Sequence, residues 1–255
     1  MAGPAGYPAA EGAVAHVLVD GLGEHLTVEG DDGHHLQRVR RIRPGELLTA
    51  ADGAGRWRRY LVGDVGPGRL ALTAGGPVHE EPPLEPGLAV AFGVTKGEAP
   101  ELVVGQLTQL GVDRIVAVTT ARSVVRWSGD KAEKARRRLQ RVAREAAMQS
   151  RRARLPIVEL ADSLQPLTAR PHPDLVVAER GGGDVATLPT PASGGWLLVV
   201  GPEGGLEPGE REHLEPARSV GLGPFQLRAT TAATVVTGLF TCRRRAAIFS
   251  RGKEP

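Results

Sequence analysis

One cysteine, Cys242, is all that the 255-residue chain contains. That excludes an intrachain disulfide and a cysteine-based zinc site, and the cytoplasm is the expected compartment. Aromatic residues make up only 4% of the chain, with Trp57, Tyr60 and Trp127 as the few candidates for stacking. This argues against a base-stacking sheet of the kind that reads single-stranded RNA. No apolar run approaches the ~20 residues that cross a bilayer, so no membrane is expected. The opening "MAGPAGYPAAEGAVAH" has neither a basic nor an apolar stretch. Residues 1–12 are therefore expected to be a flexible leader rather than a secretory signal. The seven histidines show no metal-ligand spacing, and no metal is expected. His34 and His35 are adjacent, and on a strand they point to opposite faces. They read as barrel surface or RNA contacts.

Positive charge is clustered. Lys131 to Arg154 holds ten basic residues, Arg137, Arg138 and Arg141 among them, against Glu133 and Glu145 as the only acids, in a chain of net charge +3. A second cluster, "RVRRIR", holds Arg38, Arg40, Arg41 and Arg43. Such clustering suits a polyanion such as RNA, and equally a solvated helix face.

Two periodicities divide the chain. From Ala13 to about Thr73, short β-like runs ("AHVLVD", "HLTVEG", "ELLTAAD", "WRRYLVGDV", "RLALTA") are separated by Gly, Asp and Pro. This predicts a small barrel or sandwich over 13–76. "GGPVHEEPPLEPG" reads as a boundary, with a linker over 77–87. From residue 88 to 255 strands alternate with helices. Strands are predicted at Leu88–Val94, "RIVAVTT", "DLVVAER", "GWLLVVG" and "VGLG". Helices are predicted over "APELVVGQLTQLG", over Lys131 to about Arg152, over "PGEREHLEPAR" and over Thr230 to about Ile248. Alternation of this kind means a parallel α/β sheet covered on both faces.

In such a sheet, ligands bind at the carboxyl ends of strands. "LVVGPEGG" stands at such an end, spaced Gly201-x-x-Gly204-Gly205. It is neither G-x-G-x-x-G nor G-x-x-x-x-G-K-[ST], so the commonest dinucleotide and triphosphate loops are disfavoured. Glu203 in its middle would repel phosphate, which favours a ligand with little anionic charge. A tight strand-to-helix turn without a ligand has the same signature. A second glycine turn follows in "VGLGPFQLRATTAATVV", leading through Leu227 and Arg228 into a small-residue helix.

"LVVGPEGG" followed by "LGPFQLRATTA" resembles the SPOUT, or α/β-knot, RNA methyltransferases. Within them it is most similar to the RsmE family of 16S ribosomal RNA uridine N3 methyltransferases. The similarity runs over nearly the whole chain. "HHLQRVRRIRPGELLTAADG" matches that family's PUA-like N-terminal barrel, "TKGEAPELVVGQLTQLGV" its first helix, "ARSVVRW" its arginine turn and "REAAMQSRRARLP" its basic helix end. The resemblance implies a trefoil-knotted α/β domain over 88–255, preceded by an RNA-binding PUA-like β-barrel. It also implies a homodimer, 16S ribosomal RNA or the small subunit as partner, and S-adenosyl-L-methionine as cofactor. The cofactor-holding positions it implies are Val200, Gly201, Pro202, Glu203, Gly204, Gly205, Leu222, Gly223, Leu227, Arg228, Thr231 and Ala232.

Arg228 is the first choice for a catalytic side chain, orienting the uracil carbonyls or stabilising a developing anion. A phosphate-binding or helix-start arginine is the other reading of the same residue. Glu203 reads either as a base or as a shaper of the loop. Arg122 and Arg126 are candidates for RNA phosphate, with a salt bridge inside the domain as the other reading. The chain departs from the family pattern at Phe225 (usually arginine), Thr230 (usually glutamate), Leu107 and Gln109 (in "QKxTELG") and Met148 (usually an acid). Two rival functions stand beside this one: a non-catalytic RNA-binding module, and a related knotted enzyme acting on tRNA or on a ribose 2′-hydroxyl.

Overall fold

A computed structural model describes residues 12–38, 41–168, 174–191, 194–215 and 217–251. The leader up to residue 11 and Arg40 lie outside the described residues, as does the side chain of Arg38. The chain forms two compact units. One comprises Met1–Pro83 with Arg144–Leu155, the other Leu84–Ala143 with Pro156–Pro255.

The first unit contains strands β1 (Ala13–Leu18), β2 (His25–Val28), β3 (Leu47–Ala51), β4 (Arg56–Gly66), β5 (Arg69–Ala74) and β6 (His79–Glu80), with helix α1 (Gly30–Arg38) between β2 and β3. The sheet order is β1-β3-β4-β5-β2, with β6 on β4. The β1–β3 pair is parallel and the others are antiparallel. Alternate residues Val17, Leu48, Ala50, Tyr60, Val62, Leu70 and Leu72 form its core, as period-2 patterning requires.

Helix α1 corrects the expectation of strands alone in this region. His34 and His35 sit on a helix, not a strand. Of its apolar side chains only Leu36 enters the core, so no periodic stripe marks the helix in the sequence. Its acidic first turn, Asp31 and Asp32, favours the helix amino end. Gly33 lets it lie against the β4–β5 turn, where a Cβ on Gly33 would stand 2.2 Å from the Gly68 carbonyl oxygen. Gln37 accepts a bond from the Gly68 amide at 2.8 Å.

Much of the Arg144–Leu155 charge is used inside this unit. Arg144 donates to the Leu18 carbonyl at 2.7 Å and pairs with Asp32 at 2.8 Å. Arg151 donates to Ala13 O at 2.7 Å, and Arg154 twice to Glu81 O, at 3.0 and 2.6 Å. Buried His16 is held by the Thr49 hydroxyl (2.7 Å) and the Arg152 carbonyl (3.1 Å).

Burial lowers the His16 pKa from 6.5 to about 4. Above pH 6.5 the imidazole is neutral whether folded or unfolded. As pH falls from 6.5 to 4, the unfolded chain takes up a proton that the folded chain refuses, and stability falls by about 3 kcal/mol. Glu81, pushed up to about 7 by burial, acts in the opposite direction over the same range. The His16 contribution is therefore read as a difference. In denaturant titrations between pH 7 and 4, His16→Gln is expected to lose stability less steeply than the wild type. Equal slopes would rule His16 out.

The second unit contains β7 (Gly87–Gly93), α2 (Ala99–Gln109), β8 (Arg114–Val118), α3 (Gly129–Gln149, its end in the first unit), β9 (Ile157–Ala161), α4 (Gln165–Thr168), β10 (Asp174–Gly183), β11 (Gly195–Val200), α5 (Pro208–Glu212), β12 (Arg218–Val220) and α6 (Ala229–Arg251). Its sheet is parallel throughout, in the order β12-β10-β11-β7-β8-β9. Trp196, Leu198 and Val200 of β11 enter one core with Leu107, Leu139 and Phe240, while Leu197 and Val199 enter another with Leu164, Leu167 and Leu214. The sheet is covered on both faces, which is why its strands read as continuous apolar runs. Two strand expectations change. β9 lies at the sheet edge with a single buried residue, Val158, and too little apolar pattern to read. The strand placed at "VGLG" lies instead at Arg218–Val220 and ends where the glycine turn begins. Among the described residues no helix is long and apolar enough to cross a membrane, and no cluster of metal-ligating side chains is present.

Candidate functional site

The carboxyl ends of β10, β11 and β12 open into a cavity of about 660 Å³, within the usual range for a small-molecule site. Its floor is Val177, Ala178 and Val200, and its rim is Gly201–Leu206, Leu222, Gly223 and Phe225–Leu227, with Ala229 and Ala232 from α6. The loop after β11 is a tight turn, closed by the Gly205 amide on the Pro202 carbonyl at 2.8 Å. Gly205 has φ +71°, a conformation that glycine adopts without cost. Pro202 is buried, while Glu203 and Gly204 are exposed.

A neighbouring turn braces this loop. Ser123 Oγ accepts from the Thr120 amide and meets the Thr120 hydroxyl, both at 3.0 Å and both buried. The turn presents Arg122, whose Nη1 donates to the Gly204 carbonyl at 2.6 Å and whose Nε lies 3.8 Å from the Glu207 carboxylate. Glu210 accepts from the amides of Glu207 (3.0 Å) and Ala121 (2.7 Å), so one carboxylate ties the head of α5 to the arginine turn. Inside the cavity Arg211 is paired with Glu179 at 3.1 Å. A smaller cavity of about 280 Å³ adjoins, lined by Val94, Thr95, Lys96, Val124 and, shared with the first, Arg122, Pro202 and Glu203.

Of the positions expected to hold the cofactor, Val200, Gly201, Pro202, Glu203, Gly204, Gly205, Leu222, Gly223, Leu227 and Ala232 line the larger cavity. Arg228 and Thr231 do not. Ala229 and Ala232, three apart, share the helix face that meets it, and Arg228 and Thr231 fall beside that face, exposed. The Arg228 carbonyl starts α6 by accepting from Ala232 at 2.9 Å. Among the described residues its side chain makes no hydrogen bond or ion pair. Arg122 lines both cavities, and Arg126 is exposed. Arg137 pairs with Glu133 at 3.4 Å and Arg138 with Glu101 at 2.6 Å. Arg141 and Arg41 are exposed, and Arg41 has φ +52°.

Sequence reasoning missed Glu179, Arg180, Arg211 and Lys96. The first two end the stretch "DLVVAER" that was read as a strand, where the strand-end rule would have flagged them, although β10 itself runs on to Gly183. Two stacking candidates are corrected. Trp57 is buried and stacks on His79 at 4.4 Å, and Tyr60 is fully buried, its hydroxyl donating to Gly23 O at 2.8 Å. Trp127 is half-buried against the second unit's core. Of the departures from the family pattern, only Phe225 lines the cavity, 81% exposed at its rim. Leu107 is in the core, Gln109 is exposed, Thr230 offers its carbonyl to Thr234, and Met148 packs in the first unit.

Residues 81–241, which include this sheet and the cavity at its strand ends, match the RNA methyltransferase domain family, and residues 28–74 match the RNA methyltransferase PUA domain. The chain is therefore an RNA methyltransferase with a PUA-like domain. It is 38% identical to the ribosomal RNA small subunit methyltransferase E of Mycobacterium bovis, over 85% of this chain and 86% of that one. It is 30% identical to the Bacillus subtilis protein of the same name, over 81% of this chain and 86% of that one. It belongs to the ribosomal RNA small subunit methyltransferase E family. The Neisseria gonorrhoeae member, solved bound to S-adenosyl methionine, shares the fold with a TM-score of 0.77 at 21% identity, over 90% of this chain and 97% of that one.

Proposed function

We propose that this chain transfers a methyl group from S-adenosylmethionine to N3 of a uridine in 16S ribosomal RNA, in the cytoplasm. The observation that carries the reading is the larger cavity, whose walls fit that cofactor by their chemistry. Val177, Val200, Leu222, Leu227 and Ala232 offer apolar faces to an adenine, and the glycine turns offer backbone donors and acceptors to its edge. The cavity is lined by Arg122, Arg180 and Arg211 as well as by Glu179 and Glu203, and Glu203 is the acid placed to face a cation. Glu203 has no hydrogen-bond or ion-pair partner among the described residues, and Glu179 stands against Arg211.

When bound, the cofactor supplies an electrophilic methyl on a cationic sulfur. That methyl would pass from sulfur to N3, whose imide proton would go to solvent. The chain's main task is positioning. The braced Gly201–Gly205 loop holds one side of the donor, and the Leu222–Ala232 segment holds the other. Arg228, exposed and without a hydrogen-bond or ion-pair partner among the described residues, engages the acceptor nucleotide. N3 is hidden in a paired or stacked base, so the acceptor is single-stranded or extruded.

In this reading residues 13–76, with β6 from the stretch 77–87 read as a linker and with Arg144–Leu155, form a PUA-like β-barrel that grips RNA, and the rest of 88–255 a trefoil-knotted domain. That domain works as a homodimer. Supporting the dimer, α6 leaves Val235, Leu239, Cys242, Ala246 and Phe249 exposed at heptad spacing.

Two measurements test the function. Calorimetry should find S-adenosylmethionine binding to the purified chain, and silence at high cofactor concentration would sink the enzyme reading. Ribosomal RNA from a deletion strain should lack one 3-methyluridine. Its persistence there would show that the acceptor is another site.

A further inference from the structure

We infer that the smaller cavity seats the acceptor base, an extruded uracil of the RNA strand, and that Lys96 touches that base. The inference rests on the methyl-transfer reading above and adds the acceptor's place to it.

Topology puts the two cavities side by side. The larger one lies over the ends of β10, β11 and β12. The smaller takes its walls from the segments that follow β7 (Val94–Lys96), β8 (Arg122, Val124) and β11 (Pro202, Glu203). Arg122, Pro202 and Glu203 line both, so the two spaces adjoin at the head of the β11 loop. In-line transfer needs two reactants held against each other across such a short span.

That shared edge is held firmly. A Cβ on Gly93 would stand 2.6 Å from Pro202 Cδ, so the β7 end and the β11 loop are in close backbone contact. The Val94 amide donates to Val118 O at 2.9 Å, which ties the ends of β7 and β8 together. Gly97, at φ +69°, then turns the chain toward α2.

Size and chemistry favour a single base. The space is about 280 Å³ against about 660 Å³ for its neighbour. Val94, Val124 and Pro202 supply apolar surface, and Lys96 and Arg122 supply cationic donors. Arg122 is committed to Gly204 O and lies near Glu207. Lys96 is exposed and has no hydrogen-bond or ion-pair partner among the described residues, not even Glu203 in the same cavity. A uracil that loses its N3 proton spreads negative charge onto both flanking carbonyl oxygens. An unpaired ammonium beside an apolar slot favours that ionised form. Arg228 lines neither cavity, so its charge is left for the phosphate or sugar of the same strand.

The test uses the full chain, S-adenosylmethionine and methylation-deficient small subunits, with Lys96→Met, Lys96→Arg and a plug variant, Val124→Trp. Val124 is 69% exposed, so the larger ring can be added without entering the core. Calorimetry is expected to give cofactor affinities within about twofold of wild type for all three. Single-turnover transfer should fall about ten- to a hundredfold in Lys96→Met, the scale of a lost bond to a charged group, and similarly in Val124→Trp. Lys96→Arg should recover part of the rate. In Lys96→Met the rise of rate with pH should move to higher pH, because the imide has lost the cation that eases its ionisation. Wild-type rates and pH profiles in both Lys96→Met and Val124→Trp would overturn the inference alone. So would a parallel loss of cofactor affinity, which would assign this space to the cofactor. A wild-type chain that binds no cofactor would overturn the underlying reading, and this inference with it.

Discussion

Arg228→Ala is expected to lower kcat/KM for RNA by about ten- to a hundredfold while leaving S-adenosylmethionine affinity within about twofold. The guanidinium is exposed at the start of α6, next to Leu227 and Ala229, which line the larger cavity. It makes no hydrogen bond or ion pair among the described residues, so the variant breaks none of theirs. What it loses is a charged donor for RNA, and such bonds contribute about 1.5–3 kcal/mol. Cofactor affinity should hold because the side chain does not line the cavity. Calorimetry and initial-rate kinetics on the same preparation separate the two quantities. An equal fall in both would make Arg228 a structural part of the cofactor wall. Arg228→Lys should recover only part of the loss, since a point charge replaces a planar fork.

Arg244→Ala should strongly destabilise the second unit. Arg244 lies on α6 at 2% exposure. It donates to Gly111 O at 2.9 Å and Leu84 O at 2.7 Å, and pairs with Asp113 at 2.5 Å. The same Asp113 oxygen accepts from the Leu88 amide at 2.9 Å. One side chain thus links α6, the turn after α2 and the start of β7. Removing it strands a carboxylate and two carbonyls. Breaking a buried pair costs about 3–5 kcal/mol, and the partial exposure of Asp113 argues for the low end, about 3 kcal/mol. For a chain of this length that is a fall in Tm of roughly 6–12 °C. Arg244→Lys should stay well below wild type, because an ammonium cannot span the three acceptors. Thermal unfolding decides it, and a loss below about 1 kcal/mol would mean that water replaces the guanidinium.

The parts of the site that were legible in the sequence share one physical cause. A buried parallel strand must be apolar along its whole length, and the chain must then leave it through residues that permit a tight turn. "WLLVVGPEGG" satisfies both conditions, which located Val200 and Gly201–Gly205 before any fold was known. The helix start at Pro208 was visible for a similar local reason: proline fits the first helical position, and Glu210 can reach back to the amide of Glu207. The family resemblance added Leu222, Leu227 and Ala232, which no spacing rule ties to a loop some twenty residues earlier.

What was not legible depended on neighbours distant in sequence. The basic run read equally as a field for RNA and as a solvated helix face, yet Arg144, Arg151 and Arg154 bond acceptors of the first unit, and Arg137 and Arg138 have acidic partners. Trp57 and Tyr60 looked available for stacking and are core residues. Helix α1 has only Leu36 in the core, so its helical period is silent.

By itself, then, the sequence determined two periodicities, a parallel sheet, and a glycine loop at a strand end beside a short capped helix, because these follow from backbone geometry and from burial along one element. Only the tertiary structure decided which cations are free and which are spent, that Arg228 stands beside the cavity rather than in it, and that Lys96 shares a second cavity with Arg122 and Glu203. Those outcomes depend on which strand ends lie side by side in the sheet. That order, β12-β10-β11-β7-β8-β9, is a property of the packed chain and is written in no single segment of it.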